Sequence, residues 1–321
     1  MRLRSTKFLY LAAFLSALLL ASACRKSEGP KTSPSRTKLV IVTTLYPLFD
    51  FSRFIGGDRV VVSLLLPPGV EAHSFSPKPE DVVRVSQAGM FIFSNEIMEP
   101  WAVKFVTGLN NGNILLVNSG NGVKFLETGS GVHEGHAQRY NYSSGSIDPH
   151  IWLDFFNAQI MVDNIAAGMA SKDPANRDYY LANASLYKSE LNKLDQEYKI
   201  GLSSCAKKLF LHGGHFTFGY LANRYELYYE AASAVNADAE PTPMMLIELV
   251  KKIKSTGLKY IFSEEMLSPR VSEMIARESG ASLLLLHGAH NISREDLEHG
   301  VTFISLMKKN LASLRTGLEC R

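Results

Sequence analysis

Between Asp173 and about Ser203 the sequence leaves the backbone little choice but a long helix. Asp173-Pro174 reads as an N-cap followed by a proline in the first turn, and the only later interruption is Gly201, near the end. Tyr180, Ala184, Tyr187, Leu191, Leu194 and Tyr198 recur at intervals of three and four and make one apolar seam. Lys188, Glu190, Lys193, Asp195 and Glu197 fall on the solvated side. A helix of this length spans about 45 Å. Whatever surrounds it has to be organised along it.

On either side lie short apolar runs separated by helical patterns. Leu39–Thr43, Val60–Leu65, Phe91–Phe93 and Ile114–Val117 precede the helix; Leu209–Leu211, Leu227–Glu230, Tyr260–Phe262 and Leu283–Leu286 come after it. Runs of this length alternating with helices indicate βα units and mostly parallel sheets buried on both faces. The expected class is therefore α/β: two βα lobes joined by one rigid helix. The expected divisions are an N-terminal lobe over 38–165, a connector region over 166–204 and a C-terminal lobe over 205–321.

The first 37 residues stand apart. Arg2, Arg4 and Lys7 precede an apolar stretch from Phe8 to Ala23 that is too short for an ordinary membrane span, and Cys24 follows a run of small residues. This reads as an export signal over 1–23, with Cys24 placed like a lipoprotein acceptor. Residues 24–37 form a Ser/Pro/Lys-rich tether from the lipid to the folded body. The location expected is the periplasm or cell envelope, with contact to the membrane only through the anchor.

Removing the signal takes three of the 34 basic residues and none of the 31 acidic ones, so the exported chain is balanced at 31 against 31. That argues against a nucleic-acid surface. In an oxidising compartment the remaining cysteines, Cys205 and Cys320, are expected to form a disulfide. No CxxC spacing points to a cysteine metal site.

Residues 127–148 are rich in Gly, Ser and polar side chains and carry His133 and His136, so a mobile loop is expected there. The other histidines fall in more telling places. His73 lies beyond the second strand run, His212 and His215 at and past the end of the fifth, and His287 at the end of the last, with His290 three positions on. His150 sits in "DPHIWLD", and Glu264 and Glu265 follow Tyr260–Phe262. Ligands of open α/β sheets bind at the carboxyl ends of the strands, where these side chains from both lobes can converge. A nitrogen-rich set favours zinc or its neighbours over magnesium or calcium. Singly, His212 is as well read as a hydrogen-bonded strand end, and His290 and His299 as surface residues.

"GVEAHSFSPKPED", "DPHIWLD" and "HFTFGYLANRY", in this order around a long helix, resemble the metal-binding solute receptors of ABC importers for zinc and manganese. The zinc branch, the high-affinity zinc uptake receptors, is the nearer. The resemblance covers roughly residues 38–318. It implies two βα lobes on one rigid helix, with His73, His150 and His215 as ligands of a transported zinc ion. The third histidine is the zinc-type feature, since manganese-type receptors more often carry a carboxylate there. It also implies a permease partner and a monomer that captures rather than transforms, and a metal-gathering role for the loop of His133 and His136.

The chain departs from the family at the fourth ligand. Family members commonly place an aspartate just after the last core strand, where this chain has His287. His287 is the expected replacement; His290, Glu264 or a water are the alternatives. Four neutral imidazoles would leave the dication's charge to surrounding carboxylates, for which Asp148, Asp154, Glu264 and Glu265 are candidates. A manganese- or iron-type receptor, an exported zinc-dependent hydrolase and an adhesin are the competing functions. The sequence lacks HExxH and GxSxG, and no enzyme is expected.

Overall fold

The computed structural model describes residues 37–127, 146–235, 241–265 and 269–321. The expected signal at 1–23, Cys24, all of the tether but its last residue, and His133 and His136 lie outside the described residues.

The first lobe runs β1 (Leu39–Thr43), α1 (Tyr46–Gly56), β2 (Val60–Leu64), α2 (Pro79–Ser86), β3 (Met90–Phe93), α3 (Ala102–Gly108) and β4 (Leu115–Asn118). Its strands are all parallel in the order β2-β1-β3-β4. Two helices come next, α4 (Phe155–Lys172) and α5 (Arg177–Ser203). The second lobe runs β5 (Leu209–His212), α6 (Gly219–Arg224), β6 (Tyr228–Ala231), α7 (Pro243–Thr256), β7 (Tyr260–Glu264), α8 (Arg270–Ser279) and β8 (Ser282–Leu286). It repeats the arrangement as β6-β5-β7-β8, again parallel, and α9 (Arg294–Glu298) and α10 (Phe303–Gly317) close the chain.

Strand alternation explains why both faces are buried. Ile41, Met90 and Ile92 enter a core shared with the helices, while Val42, Phe91 and Phe93 fill a separate core on the other face. In the second lobe Phe210 and Phe262 join the shared core, and Leu211 and Ile261 the outer one. The shared core therefore runs unbroken through both lobes.

The connector is α5, whose 27 residues span about 40 Å. It begins after a 3-10 turn over Pro174–Asn176. Asp173 does not cap the backbone there as expected; its Oδ2 instead accepts bonds from Asn176 Nδ2 (2.6 Å) and the Tyr180 hydroxyl (2.7 Å). All six residues of the seam are buried. Its tyrosines bury their rings and still find partners for their hydroxyls: Tyr187 donates to Asp50 Oδ2 (2.8 Å) in α1, and Tyr198 to the Met307 carbonyl (2.6 Å) in α10. Phe51 of α1 meets both Tyr187 and Phe303 edge-on, each at 5.2 Å. One helix is thus packed against both lobes, and this opposes wide hinge opening. The expected disulfide is present, tying Cys205 past the end of α5 to Cys320 at the C-terminus.

Candidate metal centre

Strand order reverses between β1 and β3, and between β5 and β7, which opens a crevice at the carboxyl edge of each sheet. Four histidines reach it from four connections: His73 after β2, His150 before the turn Ile151–Leu153, His215 after β5 and His290 after β8. One ring nitrogen from each lies within 4.8 Å of the others. The six centroid separations run only from 4.8 to 5.6 Å, so the rings stand at the corners of a nearly regular tetrahedron. His73 Nε2 and His150 Nε2 are 3.1 Å apart. A tetrahedral zinc with bonds of 2.0–2.1 Å needs nitrogens separated by about 3.3 Å.

The fourth corner is held by His290 and not, as expected, by His287. The backbone explains the exchange. His287 continues the direction of β8, its amide donating to Asn310 Oδ1 (2.8 Å) and its carbonyl accepting from Asn310 Nδ2 (2.8 Å). Its Nδ1 faces Ala289 N (2.9 Å) and Glu265 Oε1 (3.2 Å). The chain then turns through Ala289 in a left-handed conformation (φ 60°), and this turn delivers His290 to the cleft. Gly288 is required beside it, because a Cβ there would lie 2.5 Å from His290 Cε1.

Three carboxylates stand behind three of the rings. Asp148 Oδ1 pairs with His150 Nδ1 at 2.7 Å, and also accepts the His150 amide (3.0 Å). Glu264 Oε1 lies 2.7 Å from His215 Nδ1, while its Oε2 accepts the His215 amide (3.1 Å). Glu265 accepts the amides of Gly288 (2.8 Å) and Ala289 (3.2 Å) and lies 3.9 Å from His290 Nδ1. Each carboxylate accepts a backbone amide beside its ring, and Asp148 also bonds a ring nitrogen, which turns His150 Nε2 toward the cleft. Asp154, also a candidate, instead caps α4 and pairs with Arg224 (3.0 Å).

His212 ends β5 fully buried, with Nδ1 3.1 Å from the His215 carbonyl and its ring edge-on to Phe218, and takes no place in the quartet. His299 is exposed beyond α9.

Burial, with help from neighbouring imidazoles, holds His73 and His150 well below the ordinary histidine range, and brings His215 down to about 3. At His290 burial works the same way, but Glu265 outweighs it and raises the ring. Burial pushes Asp148 up to about 8 and Glu264 up to about 7. It also opposes ionisation of Glu265, but His287 and His290 outweigh it and hold that carboxyl well below its usual range. Most of the quartet therefore stays neutral, with lone pairs ready, near pH 7.

Two partners of the site carry no metal-binding signature in the sequence. Trp152, fully buried, donates Nε1–H to the Gly288 carbonyl (2.8 Å) and stands edge-on to His150 (5.6 Å) and His290 (5.4 Å). Thr217 Oγ1 lies 2.8 Å from His215 Nε2. Their positions two residues beyond a histidine are the only cue the sequence offers.

Comparison with known proteins agrees with this architecture. The family model described as zinc-uptake complex component A, periplasmic (ZnuA), matches residues 41–317. The high-affinity zinc uptake system protein ZnuA of Bacillus subtilis is 33% identical over 304 residues, covering 94% of this chain and 95% of its own. The zinc-binding lipoprotein AdcA of Streptococcus pneumoniae is 30% identical over 96% of this chain, which spans 60% of AdcA. The crystal structure of the Zn(II)-bound ZnuA-like domain of S. pneumoniae AdcA superposes with a TM-score of 0.74 at 30% identity, over 88% of this chain and 100% of that domain. With two parallel lobes on one helix and a four-imidazole cluster in the cleft between them, the chain belongs to the ZnuA family of periplasmic zinc-uptake components.

Proposed function

We propose that His73, His150, His215 and His290 together bind one zinc ion, and that this exported receptor hands the ion to an ABC permease. The observation that carries the reading is the convergence of four imidazole nitrogens within 4.8 Å of one another. Such a set suits zinc and its neighbours and gives manganese no oxygen ligand. Zinc is cargo here. Four protein nitrogens complete its tetrahedral shell and leave no position for the activated water that a zinc hydrolase requires, in keeping with a binding protein and not an enzyme.

Glu265, held ionised, supplies negative charge behind the rings, and Asp148 and Glu264 add theirs by giving up their protons once the dication is bound, in a site with little access to water. The rigid connector supports delivery through local loop movement around the site. Lipid attachment at Cys24 would keep the receptor near its permease.

Zinc titration of the His73, His150, His215, His287 and His290 alanine variants tests the ligand set. Each of the four quartet variants is expected to lose about tenfold or more in affinity, and His287→Ala distinctly less than His290→Ala. A greater loss at His287 than at His290 would overturn the assignment.

A further inference from the structure

His73 is the half-buried member of the quartet and sits on the irregular stretch between β2 and α2. That stretch opens on the turn Pro67-Pro68-Gly69-Val70. Val70 N bonds the Pro67 carbonyl at 3.1 Å, and Gly69 takes a positive φ of 86°. Proline second and glycine third are what a type II turn asks for, so the turn is stiff before anything touches it. Beyond it the bonds are local: His73 N to Glu71 Oε1 (3.0 Å) and Phe75 N to the Ala72 carbonyl (3.4 Å).

The turn is gripped from the other lobe. Asn291, directly after His290 and 3% exposed, donates both hydrogens of its side-chain amide to this turn. Nδ2 lies 2.7 Å from the Pro67 carbonyl and 2.8 Å from the Val70 carbonyl, while Oδ1 accepts the Ile292 amide (2.8 Å). Pro67 and Val70 are themselves exposed, so a buried amide spends its full donor capacity on an exposed turn. The His290 carbonyl meanwhile accepts from Tyr46 N (3.1 Å) at the start of α1, fixing the Asn291 backbone against the first lobe.

We infer that Asn291 is a positioning residue for zinc binding: its side chain latches the loop of His73 to the segment of His290, so that the two rings are presented as one unit. The inference rests on the four-imidazole reading above. Without the latch, His73 must be brought into place at the expense of metal binding, and the ion should escape through the corner that His73 closes. Removing two hydrogen bonds is expected to speed release by about tenfold or more.

The test is zinc release into excess chelator, followed in Asn291→Asp, Asn291→Ala, His73→Ala and the two double variants. Asn291→Asp keeps the size and the bond from Ile292 but has no hydrogen to donate. Asn291→Ala removes the amide without adding charge, and thermal melts of the metal-free proteins check folding. Both single Asn291 variants should release zinc about tenfold faster, and should add less than about twofold in the His73→Ala background, because a residue acting only through His73 has nothing left to position. The Co2+-loaded Asn291 variants should show the weakened ligand-field absorption of His73→Ala. Equal effects in both backgrounds, or unchanged release in the single variants, would overturn the latch. If His73→Ala itself released zinc at the parent rate, the four-imidazole reading would fall, and the latch with it.

Discussion

Asp148 Oδ1 lies 2.7 Å from His150 Nδ1, and both side chains are fully buried. Once a bound dication keeps Asp148 ionised, the pair fixes which imidazole nitrogen faces the cleft, because the carboxylate holds the proton on Nδ1 and leaves Nε2 for the proposed zinc. Asp148→Asn retains an acceptor near Nδ1 and loses the charge; Asp148→Ala loses both. Zinc titration should show affinity lowered by about tenfold in the first and by up to about a hundredfold in the second. Equal losses would mean that charge alone matters, and no loss would remove Asp148 from the site.

The response to pH should be carried mainly by His290. His73, His150 and His215 are held below the ordinary range and lose no proton on binding near neutrality. Glu265 raises His290, so below that raised value its ring carries a proton that zinc must displace. Affinity should fall as pH drops, first gently as Asp148 and Glu264 take up protons, then by a further factor of about ten per unit through the His290 range. Calorimetry at pH 5.5 in buffers of different ionisation enthalpy should detect about one proton fewer released per zinc in His290→Ala than in the parent, any protons given up by Asp148 and Glu264 being common to both. Equal affinity at pH 7.5 and 5.5 would refute this.

Much of this site could be read from the sequence, and the part that could not has an identifiable cause. The strands were legible because buried parallel strands are short, unbroken apolar runs, and α5 because its seam keeps one period from Tyr180 to Tyr198. His73, His150 and His215 stand in motifs with fixed neighbours. The fourth corner depends on a reversal of the backbone at Ala289, and alanine gives no sign of a left-handed turn. The residue that would signal one, Gly288, comes a position early and serves clearance instead. Asp154 misled for a similar reason: proximity to His150 in sequence says nothing of the α4 cap and the Arg224 pair that claim it.

Arg224 should be one of the costlier side chains to lose away from the metal. It reaches Asp195 of α5 (2.7 Å) and Asp154 before α4 (3.0 Å), so three segments meet on one guanidinium. Burial alone would raise the Asp195 carboxyl, but hydrogen bonds from Arg224, Lys199 and Tyr225 outweigh it and bring it to about 2. A depressed carboxyl contributes stability above its unfolded value of about 3.9. That contribution is lost as pH falls towards about 2. Arg224→Leu, which takes the shared cation from buried Asp195 and part-buried Asp154, is expected to cost about 2 kcal/mol at pH 7. The gap from the parent should narrow between pH 4 and about 2 in denaturant melts. A cost below about 1 kcal/mol would show that the ion pairs merely balance their desolvation.

Trp152 offers a direct optical reading of whether the quartet acts together. It is one of two tryptophans, fully buried, in edge contact with His150 from one lobe and His290 from the other. Zinc drawn between those rings changes the charge beside the indole, so its emission should shift on loading. Trp101 packs against Phe75, Phe91 and Phe105 in the outer core of the first lobe and should stay silent. The zinc-dependent change should therefore persist in Trp101→Phe and vanish in Trp152→Phe. The latter also loses the bond to the Gly288 carbonyl and should bind zinc several-fold more weakly, since one buried hydrogen bond between the lobes is worth about 1 kcal/mol. A full zinc response in Trp152→Phe would place the ion away from these rings, and the quartet could then not be its site.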